Sequence, residues 1–235
     1  MEIVVSSFYN YVNIHDIREF RDEHQKYCEN LGIKGKVLVG IEGINGTISG
    51  TKKQINKYEK NLVEEKRFKD MKFKRTISGF HPFKKTIVRV RNEIVTSRFD
   101  VNLKNKGKHI SPKELKNMLD NNEDIILLDA RNDYEWKIGK FKNAITPRIE
   151  TFRDFKDVPK QLQEYKNKRI VMYCTGGIRC EKASALMTEN GFKNISQLDG
   201  GILNYVKKYP DTYFEGRLFV FDNRLSIPTG EKTKD

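Results

Sequence analysis

In the segment Val171-Met172-Tyr173-Cys174-Thr175-Gly176-Gly177-Ile178-Arg179-Cys180-Glu181-Lys182 an apolar run stops at a cysteine, two glycines follow, and a helical pattern sets in at about Cys180. A short, continuous apolar run such as 169–174, bounded by turn residues, reads as a strand buried on both faces. The helix after it covers 181–190 and is closed by Gly191. A tight glycine turn between such a strand and helix gathers backbone amides at a helix N-terminus, where anions and thiolates are stabilised. Cys174 is therefore the candidate nucleophile, its thiol pKa depressed by the amides and by Arg179. Thr175, Gly176, Gly177, Ile178, Arg179 and Cys180 form its loop. Arg179 is expected to organise the loop through backbone carbonyls. Cys180 is placed either to resolve a persulfide or disulfide on Cys174 or simply to pack. No histidine adjoins Cys174 to act as a base, so activation by the amide cradle is the simpler expectation. A Cys-X5 loop also serves protein tyrosine phosphatases, but those need a general acid and a histidine before the cysteine, where this chain has Tyr173.

Outward from this loop, Ile125–Asp129 is a second continuous apolar strand, ending in a carboxylate, and 195–198 is a third, before a Gly200-Gly201 turn and a helix near 202–208. Strands alternating with helices in this way specify an α/β domain with a mostly parallel sheet. Sites gather at the C-terminal ends of such strands, so Asp129 and Arg131 are supporting candidates, as a structural ion pair or as catalytic groups. Upstream, Ser111-Pro112-Lys113-Glu114 supplies an N-cap, a proline suited to the first turn and the carboxylate of a capping box. The expected divisions are 101–120 as linker and capping helix, 121–214 as the α/β domain and 215–235 as a C-terminal tail.

Residues 1–100 follow a different order. A strand over 3–12 precedes Ile17, Phe20, His24, Tyr27/Cys28 and Leu31, apolar positions at helical spacing that end near Gly32. Cys28 on that face reads as a small core residue. Strands at 37–41 and 47–49 flank Glu42-Gly43-Ile44-Asn45-Gly46, whose Asn-Gly pair signals a hairpin or tight loop. A helix over 54–64 and strands over 71–77 and 86–95 follow. Strand, helix, strand, strand, helix, strand is the order of a ferredoxin-like (acylphosphatase-like) α+β domain.

Composition narrows the function classes. The 235 residues are 37% hydrophobic and 33% charged, which excludes a disordered chain. No apolar run approaches the roughly 18 residues a membrane helix needs. The N-terminus opens on Ile3, Val4 and Val5 with no basic and apolar leader, so a cytoplasmic location and no membrane partner are expected. Three cysteines, four unpaired histidines and no CxxC give neither a disulfide framework nor a metal pattern. Of the net charge of +13, residues 51–108 carry +12, with eighteen Lys/Arg against six Asp/Glu. A polyanion partner accounts for this, and so does AT-rich codon usage in a chain rich in Lys, Asn and Ile. Lys72, Lys74, Arg75, Lys84, Lys85, Arg89 and Arg91, interleaved with Phe73, Phe80 and Phe83, are candidates to track phosphates and stack a base, against a plain solvated strand face. Glu42 and Asn45 are candidates to line a nucleic-acid pocket, although turn geometry alone would explain Asn45-Gly46.

Leu128-Asp129-Ala130-Arg131, Tyr134-Glu135, the 139–144 segment GKFKNA, the Cys174 loop and Leu198-Asp199-Gly200-Gly201 occur in rhodanese order, and 121–214 resembles a rhodanese domain. Taken with Glu42-Gly43-Ile44-Asn45-Gly46, the 174–184 segment CTGGIRCEKAS and the 219–224 segment FVFDNR, nearly the whole chain resembles the rhodanese-domain tRNA uridine(34) hydroxylase family. The resemblance implies oxygen-dependent conversion of the wobble uridine to 5-hydroxyuridine, with the anticodon region of tRNA as partner and molecular oxygen as co-substrate. It also implies that Cys174 takes the place of the family's persulfide-forming active-site cysteine. No cofactor is identifiable, since no flavin fingerprint, iron-binding triad or haem motif is visible. Longer members continue into a cysteine-rich C-terminal extension, whose role is expected to be dispensable here unless the chain is cut short. The same thiol also fits a sulfurtransferase that passes sulfane sulfur from thiosulfate or a persulfide donor through Cys174. A third class, a non-catalytic RNA-binding module, requires the thiol to be dispensable.

Overall fold

A computed structural model describes residues 2–230, which fall into two units. The first takes the chain up to Val95 together with Asp222–Arg224, and the second runs from Thr96 to Phe221 and resumes at Leu225. The first unit comprises β1 (Ile3–Tyr11), α1 (Ile17–Leu31), β2 (Lys34–Gly40), β3 (Gly43–Gly50), α2 (Lys52–Glu64), β4 (Phe73–Ser78) and β5 (Thr86–Val90). Its sheet has the order β4-β1-β3-β2-β5, antiparallel except where β5 joins β2 in parallel. This is the expected ferredoxin-like sandwich with a fifth strand on one edge. Phe8, Val37 and Ile44 of the sheet meet Phe20, Ile55 and Tyr58 of the helices in the core. α1 ends at Gly32 in a Schellman motif, with Gly32 N–H donating to Glu29 O and Ile33 N–H to Cys28 O. Cys28 is fully enclosed, and burial with the nearby Glu29 charge pushes its thiol up to about 12, so it is inert packing as expected.

One expectation for this unit needs correction. The turn between β2 and β3 is Ile41-Glu42, and Asn45-Gly46 lies inside β3. Gly46 pairs with Phe8 of β1, and a Cβ there would come within 2.5 Å of the Phe8 ring, so a close approach rather than a turn selects the glycine. Glu42 and Asn45 are both engaged with the backbone at Ile94. Glu42 Oε1 accepts from Ile94 N–H at 2.7 Å and Asn45 Nδ2 donates to Ile94 O at 2.8 Å, which fastens the backbone beyond β5 and ends that strand at Val90.

The second unit comprises β6 (Lys108–Ile110), α3 (Pro112–Asp120), β7 (Ile125–Asp129), α4 (Asp133–Trp136), β8 (Gly139–Phe141), α5 (Val158–Gln161), β9 (Arg169–Tyr173), α6 (Ile178–Glu189), β10 (Asn194–Leu198), α7 (Gly201–Lys208), β11 (Phe214–Gly216), β12 (Leu218–Phe219) and β13 (Ser226–Ile227). Its main sheet, β6-β10-β9-β7, is parallel throughout, as the apolar runs require. The pairs β8–β11 and β12–β13 are antiparallel. Ser111 Oγ accepts from Glu114 N–H at 3.1 Å and Glu114 Oε2 from Ser111 N–H at 2.7 Å, so the capping box that starts α3 forms. β6 lies in the stretch expected to be linker. Its three residues are too short and too polar to show a period, and it is pairing with β10 that makes them a strand. Among the described residues no helix is long and apolar enough to cross a membrane.

A buried cysteine loop as candidate active site

β9 is central in its sheet, and its C-terminal end delivers Cys174 between the ends of β7 and β10. The helix begins at Ile178 rather than near Cys180, because Gly177 in the left-handed region (φ 100°) turns the chain into α6 two residues early. The turn is therefore tighter than expected, and Cys174 Sγ accepts from Gly177 N–H at 3.1 Å. The thiol is fully enclosed. Burial alone would raise its pKa, but a hydrogen bond from Cys180, the Arg179 charge and the amides of Arg179 and Cys180 outweigh burial and bring it to about 5. The Cys180 thiol moves the other way, pushed well up by burial and by the sulfur it faces, so it remains a neutral donor.

Arg179 does not organise the loop through carbonyls as expected. It is 5% exposed and forks onto Glu135, Nη1 to Oε1 and Nη2 to Oε2 at 2.8 Å. Thr175 Oγ1 donates to Glu135 Oε2 at 3.3 Å, so one carboxylate holds both the loop hydroxyl and the loop cation. Glu135 is fully buried on α4. Burial works to raise its carboxyl, yet Arg179 and then Arg131 hold it below the usual carboxylate range. Sequence reasoning gave Glu135 no role. Besides its place in the Tyr134-Glu135 segment of the resemblance, its local signal is the Asn132-x-x-Glu135 capping spacing, realised as Asn132 N–H to Glu135 Oε1 at 3.1 Å.

Asp129 and Arg131 form a fully buried pair, with Arg131 Nε and Nη2 on the carboxylate at 2.9 and 2.6 Å. Nη2 also donates to Gly139 O at 2.7 Å, which ties the end of β7 to β8. The ion pair expected as one of the two alternatives is thus formed. The floor of the loop comes from α7. Ile202 N–H donates to Cys174 O at 3.0 Å and Leu203 N–H to Thr175 O at 3.1 Å. Gly201 (φ 64°) leaves no room for a Cβ, which would meet Cys174 O at 2.4 Å. Beside Cys180, Glu181 is enclosed and meets Lys106 Nζ at 2.8 Å and His109 Nε2 at 3.2 Å. These partners hold its carboxyl down to about 2 against burial.

A low thiol pKa has a direct consequence. Iodoacetamide should label Cys174 with a pH profile whose midpoint lies near 5 and which is flat by neutral pH, leaving Cys28 and Cys180 unlabelled, as mass spectrometry of peptides from a pH series will report. A rate still climbing through the ordinary thiol range of about 8.5 contradicts the cradle.

The seven basic candidates of the first unit do not form one track. Lys72, Lys74 and Arg75 lie on or beside β4, and Lys84, Lys85, Arg89 and Arg91 lie on or beside β5, the opposite edge of the sheet. Lys74 is buried with its ammonium 4.5 Å from the Tyr9 ring centroid, and Arg75 Nε is bound to Glu59 at 2.9 Å. Lys84, Lys85, Arg89 and Arg91 are exposed. Of the interleaved aromatics, Phe73 packs on Phe8 and Phe80 is exposed.

Residues 3–94 match a family model described as UPF0176 acylphosphatase like domain, and residues 111–208 match the Rhodanese-like domain. The chain is 44% identical to the tRNA uridine(34) hydroxylase of Oceanobacillus iheyensis, over 98% of this chain and 73% of the relative. It is 41% identical to the protein of that name from Onion yellows phytoplasma, over 98% of this chain and 77% of the relative. A third relative so named, from Legionella pneumophila, is 41% identical over 96% of this chain and 91% of its own length.

Proposed function

Since the chain belongs to the tRNA uridine(34) hydroxylase family, we propose that it converts the wobble uridine of tRNA to 5-hydroxyuridine through the Cys174 thiolate, with molecular oxygen as co-substrate, one oxygen atom replacing the C5 hydrogen and the other leaving as water with two electrons and two protons from an external two-electron reductant. The observation that carries this reading is the Cys174 sulfur, held by Gly177 N–H at 3.1 Å and ionised from about pH 5 upward. At neutral pH the group offered to the substrate is a nucleophile without need of a separate base. Gly177 and Cys180 hold the charge by donating to it, Arg179 supports it electrostatically, and the start of α7 keeps the loop closed from beneath.

A thiolate enclosed in this way cannot reach the C5 of a stacked base, so the uridine must be presented unpaired and unstacked, as the single-stranded anticodon loop allows. Lys84, Lys85, Arg89 and Arg91, exposed along one sheet edge, are the phosphate contacts, and their contribution weakens as salt rises. The cytoplasm is the compartment of this reaction. Nucleoside mass spectrometry of tRNA from cells lacking the protein is the test. 5-Hydroxyuridine and its derivatives should disappear and return on complementation. Levels that never depend on the protein would overturn the reading in favour of sulfur transfer through Cys174, which thiosulfate:cyanide turnover would then reveal.

A further inference from the structure

The second unit carries a run of aromatic rings that its core does not absorb. Tyr134 of α4 meets Phe219 edge-on at 5.3 Å, and Phe219 meets Phe221 at 5.0 Å with the rings 83° apart. The Arg179 guanidinium lies over the Phe221 ring, 5.4 Å from its centroid. Phe221 is 59% exposed and Tyr134 43%, although aromatic rings gain most from being covered. The ladder thus ends at the arginine of the thiol loop and leaves Phe221 more than half exposed.

Packing does not account for this placement. Arg179 directs Nη1 and Nη2 at Glu135 and Thr175, which fix its plane. Its face is what remains, and Phe221 takes it. A ring so held is a rigid π-surface, positioned by a cation that is itself five residues from Cys174. Exposed aromatics in contact with arginine are what single-stranded nucleic acids stack upon, since every base has a π-face and pays little to leave a loop where it is already unpaired. The tRNA substrate proposed above, read at an unpaired loop, favours a base over a protein or lipid occupant of that ring.

We propose that Phe221, backed by Phe219 and Tyr134, is the platform on which an unpaired base of the tRNA anticodon loop stacks as uridine is brought to Cys174. This rests on the hydroxylase reading above and assigns the ring a positioning role. Phe221→Leu keeps apolar bulk without a π-face, whereas Phe221→Tyr and Phe221→Trp keep the face. With an anticodon stem–loop RNA as substrate at fixed salt, Phe221→Leu should raise KM roughly 10- to 100-fold with kcat within about twofold, and Phe221→Tyr should restore the wild-type KM. The iodoacetamide profile of Cys174 in Phe221→Leu should keep its midpoint near pH 5, which separates lost stacking from a disturbed loop. In Phe221→Trp, emission beyond that of Trp136 should be quenched by the stem–loop and not by a fully paired duplex of the same sequence.

An unchanged KM in Phe221→Leu, or quenching by the duplex equal to that by the stem–loop, overturns the platform. A Cys174 profile that shifts while KM holds also overturns it, because the ring would then act only through Arg179. Binding of the stem–loop is read separately from turnover. A wild-type protein that binds it in a Phe221-dependent way yet yields no 5-hydroxyuridine refutes the hydroxylase reading and supports the platform, and one that hydroxylates equally well with Leu at this position does the reverse.

Discussion

Cys174→Ser is expected to abolish 5-hydroxyuridine formation, by at least about 10³-fold in turnover, while leaving the protein folded. Serine fits the space and accepts the same Gly177 amide, but its hydroxyl does not ionise in the range where the thiol, brought to about 5, is an anion. The neighbouring cysteine provides the control. Cys180 is a neutral donor to that sulfur, so Cys180→Ser should keep activity, and Cys180→Ala should move the Cys174 iodoacetamide profile to higher pH with a partial loss. If Ser and Ala at 180 fail alike, Cys180 is a resolving thiol and the donor account is wrong. The same ionisation is coupled to folding. The folded pKa lies near 5 and the unfolded one near 9.0, so the thiolate stabilises the fold fully above pH 9 and that contribution is lost as pH falls toward 5. Urea denaturation of wild type should therefore show stability rising with pH across this window relative to Cys174→Ser. Parallel curves would mean the thiol is not ionised in the native state.

How far this site is legible in the sequence follows from how local each of its parts is. The nucleophile is readable because strand, glycine turn and helix are consecutive, and their period change encloses Cys174 within a dozen residues. The position of the helix start is not, because it depends on Gly177 entering the left-handed region, which composition permits without specifying. Glu135 lies 44 residues from the arginine it binds, and only the sheet order brings α4 beside the loop. Nothing between the two positions records the meeting. β6 is hidden for the same reason, since its strand character comes from a partner more than eighty residues away. The basic stretch shows the opposite failure. Lys72 to Arg91 is contiguous in sequence and split in space, because consecutive strands of this fold are sent to opposite sheet edges. The hairpin signal of Asn45-Gly46 misleads because a glycine required by the Phe8 ring looks, in one dimension, like a glycine required by a turn.

Glu135→Ala is expected to destabilise the second unit by about 3–5 kcal/mol, because it leaves the Arg179 guanidinium enclosed without its counter-charge. It also removes the acceptors for Asn132 N–H and for the Thr175 hydroxyl. Glu135→Gln should cost less, since the amide oxygen can keep one arginine contact and the helix cap while only the charge is lost. Arg179→Met reverses the imbalance. The carboxylate then faces only Arg131 as a cation, its pKa rises, and the Cys174 thiol loses one of the influences that depress it. The two single variants therefore separate two jobs of one ion pair. Loss of Glu135 registers mainly in urea denaturation, and loss of Arg179 registers also as an upward shift of the Cys174 iodoacetamide profile. The double variant Glu135→Ala/Arg179→Met should recover part of the stability lost by Glu135→Ala, because the enclosed guanidinium that had lost its carboxylate is removed with it. Acidification acts on the same pair. Glu135 is depressed below 4.5, so its stabilisation is complete above that pH and is lost as pH falls through its folded pKa. A Glu135→Ala protein within about 1 kcal/mol of wild type would show that Arg179 finds water or another acceptor when released, and the carboxylate would then be a convenience of packing rather than the group that holds the loop.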